Sequence, residues 1–161
     1  MESTLLKKPT VSFVSQEKRE RVKKSLEELN IDQVIGKIAF EENLSIDQLK
    51  EIEIQYKDFL FLCGIHKNVC PTPKIDLLWH NHILDTAKYD DFCQKTFGRK
   101  IHHKPHYLKQ SFSPSTDSKP DLIERTSSLF LEEFGYNPFA NIKAESGCND
   151  KSQCCQRCDD D

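Results

Sequence analysis

The sequence predicts an all-α fold, a helical bundle or orthogonal array of about six helices. Three observations predict it. Apolar residues recur at steps of three and four as far as Gly135. Ser, Thr, Asp and Gly stand where helices start and stop. No run alternates apolar and polar residues for long enough to make a sheet. Residues 1–14 read as a disordered leader, 15–139 as the helical domain and 140–161 as a disordered Cys- and Asp-rich tail. Beyond Ala140 apolar residues nearly vanish, leaving too little burial to offset the entropy of ordering.

Each helix has its own signal. Ser15 caps the first, which runs through Val22, Leu26 and Leu29 and stops near Asn30. Its basic residues Lys18, Arg19, Arg21, Lys23 and Lys24 alternate with Glu17, Glu20, Glu27 and Glu28, a mixture typical of a solvated face. The second spans Asp32 to Glu42, with Val34, Ile35, Ile38 and Ala39 on one face. Ser45 and Gln48 form a capping box for the third. That helix carries Leu49, Ile52, Tyr56, Phe59, Leu60 and Cys63 as an apolar stripe. Thr72 and Pro73 open the fourth, where a missing N–H does no harm, and it runs to about Leu84. Asp85 or Thr86 caps the fifth, which ends at Gly98 in a left-handed position. A loop rich in His, Pro, Ser and Thr follows from Arg99 to Lys119, and its stretch 111–118 reads as a surface connection. The last helix, from about Pro120 to Phe134, bears Leu122, Leu129, Phe130 and Phe134 before Gly135 stops it.

Bulk composition excludes several classes of function. A net charge of −3 over 161 residues gives no electrostatic basis for nucleic-acid binding. No apolar stretch approaches the about 20 residues a membrane span needs. The start of the chain carries Lys7 and Lys8 before any apolar run, unlike a secretion signal, which points to the cytoplasm. There, seven cysteines, an odd number, are expected as free thiols or metal ligands rather than as a disulfide framework. The expected partner is a protein or a metal ion.

The chemistry concentrates between Asp76 and His106. In the fourth helix Ile75, Leu77, Leu78, Trp79, Ile83 and Leu84 leave only Lys74, Asn81 and Asp85 as a wet strip, which predicts a central, enclosed helix. Asp76, His80 and His82 fall outside that strip and need partners, because a buried ionisable group without one costs several kcal/mol. Asp76 and His80 are four apart on one face. The carboxylate can take one imidazole N–H and leave the other nitrogen to a metal, a proton donor or a substrate. His82 lies about 200° further round and points elsewhere. The fifth helix adds Tyr89 and Cys93, and the loop adds His102, His103 and His106. Tetrahedral Zn²⁺ takes N and S ligands, and His80, Cys93, His102 and His103 can supply them. His82 joins His80 on one ion only if the helix breaks between them. The same residues serve equally as a polar network locking the loop to the core.

An enzyme is the alternative: a metal- or thiol-dependent hydrolase using His80 oriented by Asp76, with Cys93 as a candidate nucleophile. Neither a zincin H-E-x-x-H nor a serine nucleophile elbow is present, which leaves the enzyme reading behind the binding one. A third reading rests on the tail, where Cys148, Cys154, Cys155 and Cys158 could wrap a soft metal ion or act in redox chemistry. Their C-x5-C-C-x2-C spacing is not that of a zinc ribbon.

The run from Ile75 to Tyr89, with Cys93, Phe97-Gly98-Arg99 and His102-His103, resembles the glycine-rich domain-containing protein family and its D-x-x-W-H-x-H-x-L…Y…C…G…H pattern. Asp76, Trp79, His80, His82, Leu84, Tyr89, Cys93, Gly98 and His102 fall on that pattern, and the likeness covers roughly residues 56–106. The chain lacks the glycine-rich tract and RNA-binding module of the longer plant members. The resemblance therefore implies a site without implying a reaction.

Overall fold

The computed structural model describes residues 14–103, 119–140 and 142. They form six α-helices, with no strand among the described residues: α1 (Gln16–Glu27), α2 (Asp32–Glu42), α3 (Ile46–Ile65), α4 (Pro73–Leu84), α5 (Thr86–Phe97) and α6 (Lys119–Phe134). The leader, the stretch 104–118 with His106, and the tail with Cys148, Cys154, Cys155 and Cys158 lie outside the described residues.

Local chemistry sets the helix ends. The Ser15 hydroxyl accepts from the Lys18 N–H at the start of α1. At α3 the Ser45 hydroxyl accepts from the Gln48 N–H, and the Gln48 side chain accepts from the Ser45 N–H, a reciprocal capping box. Thr72 caps α4, with Pro73 in its first turn, and Asp85 caps α5. Gly98 and Gly135 take positive φ, 71° and 77°, where a side chain would be strained, and both helices stop there. Asn43 closes α2 in the same left-handed region.

The helix at the centre is α3, which packs against α1, α2, α4 and α6. From Phe59 to Ile65 every residue is buried, so this half of the helix is enclosed all round. Sequence patterning assigns that place to α4, and the structure corrects it. Only Ile75, Leu78, Trp79 and His82 of α4 are buried, a stripe about 100° wide. Ile83 borders the stripe half-covered, Leu77 is half-covered on the far face, and Leu84 there is exposed. Apolar residues outside the buried stripe thus made the helix look enclosed all round.

The core itself is one cluster from Val22 in α1 to Phe130 in α6, built around Tyr56, Phe59 and Trp79. A smaller cluster joins Cys70 to Leu122, where the Thr126 hydroxyl accepts from the Cys70 N–H at 3.1 Å. Gly98 turns the chain back from α5, and residues 99–103 then run as a strap along α4. That strap is what builds the site.

Candidate functional site

Two separate polar groups occupy the segment singled out by sequence. The first is internal. His82 lies in the middle of the buried stripe of α4, and a 2.8 Å hydrogen bond joins its Nδ1 to the Tyr56 hydroxyl on α3. The rings of Tyr56, Tyr89 and Phe92 surround it, with centroids 6.0, 5.1 and 5.4 Å away. Burial pulls the His82 pKa down to about 4, opposed by Asp85, so the imidazole is neutral at physiological pH. Tyr56 enters the sequence reading only as a stripe residue. A buried tyrosine hydroxyl needs a partner, and that need was the available signal.

The second group faces outward. His80, about 160° around the helix from His82, is exposed. Asp76 does not take His80 as its partner, as the four-residue spacing suggests. Its Oδ1 accepts from Nε2 of His103 on the strap, at 2.9 Å. A carboxylate is an acceptor only, so Nε2 carries the proton and, in the neutral ring, the lone pair lies on Nδ1 of His103. The His103 ring stands edge-on to Trp79, with centroids 4.7 Å apart, and its side chain is 8% exposed. On its other side the His80 ring lies 5.6 Å away, centroid to centroid. His102, the residue before His103 on the strap, is exposed.

The strap is held residue by residue. The Arg99 guanidinium donates to the Cys63 carbonyl of α3 at 3.3 Å, and Lys100 pairs with Asp90 at 2.6 Å. Ile101 is fully buried, and its carbonyl accepts from the Tyr89 hydroxyl at 2.7 Å. The same Tyr89 oxygen accepts from the indole N–H of Trp79 at 3.0 Å.

The structure therefore brings Asp76, His80 and His103 together with His102 nearby, and places His82 and Cys93 elsewhere. Cys93 is buried in α5 beside Tyr89 and the Ile101 backbone. Burial pushes its thiol pKa up, which leaves little thiolate for nucleophilic work. Cys63 and Cys70 are likewise buried thiols. Among the described residues, no three His, Cys, Asp or Glu side chains are grouped as a complete cation site. No helix among them is long and apolar enough to cross a membrane.

The sequence model of the UCP032817-like family matches residues 18–120. Glycine-rich domain-containing protein 1 of Arabidopsis thaliana is 29% identical over 93 residues, covering 54% of this chain. The match takes in only 11% of that plant protein's length. No solved structure matches.

Proposed function

The chain belongs to the UCP032817-like family, and from that premise we propose that it is a non-catalytic helical module that binds a zinc-like divalent ion through His80 and His103. One observation carries this reading: the two rings lie 5.6 Å apart while Asp76 holds Nε2 of His103. Two imidazoles on one tetrahedral Zn²⁺, at about 2.0 Å from nitrogen to metal, set their ring centres roughly 5 Å apart. The spacing of the pair is close to that arrangement. Asp76 fits the outer role common at such centres, where a carboxylate fixes the tautomer and orientation of a ligating histidine. His102 is the candidate third ligand, and water or a partner's side chain fills what remains. A site left open in this way suits metal-linked contact with another protein better than a purely structural ion. His82 and Cys93 are left to the core.

We place this activity in the cytoplasm, where the buried thiols Cys63, Cys70 and Cys93 are at home. The chain then stands as a relative of the glycine-rich domain-containing proteins over the residues that match. Hydrolytic chemistry with His80 as base has less support, because the carboxylate meant to orient it is bound to His103. Delivery of metal by the tail cysteines is a separate reading, which the same experiment addresses.

The test is calorimetric titration of the full chain with Ni²⁺ and Zn²⁺, repeated on His80→Ala, His103→Ala, Asp76→Asn and a variant with Cys148, Cys154, Cys155 and Cys158 changed to Ser. Ni²⁺ favours imidazole over thiolate, which separates the two candidate sites. We expect one ion per chain, retained in the serine variant, lost in either histidine variant and weakened on the order of 10-fold in Asp76→Asn. Binding that disappears with the cysteines, or survives both histidine variants, would sink the proposal.

A further inference from the structure

We infer that Tyr89 is the positioning residue of this site, holding the strap in the register that places His103 against Asp76 and His80; this rests on the metal-binding reading above. Tyr89 is 1% exposed, and its hydroxyl is bonded both to α4 and to the strap. It accepts from the Trp79 indole N–H and donates to the Ile101 carbonyl. Trp79 and Ile101 are both fully buried, so water cannot replace either bond. His103 follows Ile101 by two residues and rests edge-on against the same indole whose N–H Tyr89 holds.

Position along the strap singles out this hydroxyl. Arg99 and Lys100 tie the strap to α3 and α5 at the surface, upstream of the last fixed point. Beyond them, the buried side chain of Ile101, its backbone against the Cys93 thiol and its carbonyl on the Tyr89 hydroxyl set the direction in which the chain reaches His103. Without the hydroxyl, the Ile101 carbonyl and the Trp79 N–H are both left unpaired in the core. The strap relieves this by shifting outward, and His103 moves with it. The bond to Asp76 then lengthens and the spacing to His80 is lost. Tyr89 touches no ligand itself. Its effect passes through the tryptophan and the backbone.

The experiment uses Tyr89→Phe in the full chain, with Phe130→Leu as a control that perturbs the core on α6, away from the site. Two readouts are taken. In metal-free protein, NMR follows the His103 ring protons, which the Trp79 ring current shifts, and fluorescence follows Trp79, the only tryptophan of the chain. Titration with Ni²⁺ then gives the affinity. We expect Tyr89→Phe to move the His103 resonances toward random-coil positions and to weaken Ni²⁺ binding on the order of 10-fold. Phe130→Leu should do neither, at comparable loss of thermal stability. If Tyr89→Phe does not fold, Ile101→Ala keeps the hydroxyl but removes the strap's buried anchor, and should give the same two changes. Unshifted His103 resonances in folded Tyr89→Phe overturn the inference, whatever the metal result. Shifted resonances in a protein whose unaltered form binds no Ni²⁺ keep the clamp and overturn the metal reading alone.

Discussion

His82 shows how one buried side chain makes the stability of the whole chain depend on pH. Its folded pKa is pulled to about 4 by burial, while an unfolded histidine titrates near 6.5. Between these values the unfolded chain takes up a proton that the native chain refuses. The His82 contribution is therefore complete above about pH 6.5 and is lost as pH falls toward 4. The slope is about 1.4 kcal/mol per pH unit, or about 3 kcal/mol across the window. Asp58 acts in the opposite sense. Burial beside Tyr136 raises its pKa, so its contribution grows as pH falls. The decisive quantity is thus a difference between two proteins. Urea unfolding at pH 7.5 and 4.5 should show a larger loss for the native sequence than for His82→Gln, which keeps a polar partner for Tyr56. Equal losses would mean that His82 is protonated in the folded state.

At the scale of the helix, two helical glycines should respond to alanine with opposite signs. Gly36 lies mid-way along α2, exposed, and a Cβ built there meets nothing within 4 Å. Gly36→Ala should gain up to about 1 kcal/mol from helix propensity and the smaller entropy of the unfolded chain. Gly64 sits near the end of α3, where a Cβ would meet Cε1 of Phe97 at 2.8 Å. The Phe97 ring is 8% exposed and lies edge-on to Phe92, so it has little room to yield. Overpacking of this kind costs about 1–3 kcal/mol, more than the propensity returns. Thermal unfolding of the two variants should shift in opposite directions, and a stabilised Gly64→Ala would show that Phe97 moves freely. The caps tell a related story about what sequence reveals. Ser15, the Ser45–Gln48 box, Thr72–Pro73, Asp85 and Gly98 were legible in the sequence because each acts on backbone within four residues of itself. Tight packing of Gly64 against Phe97, 33 positions on, leaves no such local mark.

Over the whole molecule the same division separates what could be read of the site from what could not. That Asp76, His82 and a loop histidine require partners follows from residue type and helical pitch, whereas His80, expected to be enclosed, is exposed. Which partners they find depends on tertiary packing: Asp76 meets His103 of the strap across 27 positions, and His82 meets Tyr56 of α3 across 26. The core that brings these residues together is apolar and continuous from α1 to α6. Metal should therefore be a passenger on a fold that stands without it, unlike a zinc finger, which unfolds when its metal is removed. A chelator should leave the far-UV circular dichroism of the protein unchanged. Ni²⁺ at 100 times its Kd should still raise the unfolding free energy by about 2.7 kcal/mol, because the folded state alone presents His80 and His103 together. Zinc should give a smaller increment, since the seven cysteines compete for it in the unfolded chain. Loss of helix on chelation would instead make the ion part of the fold. A nickel increment unaffected by His103→Ala would move the binding site away from the strap.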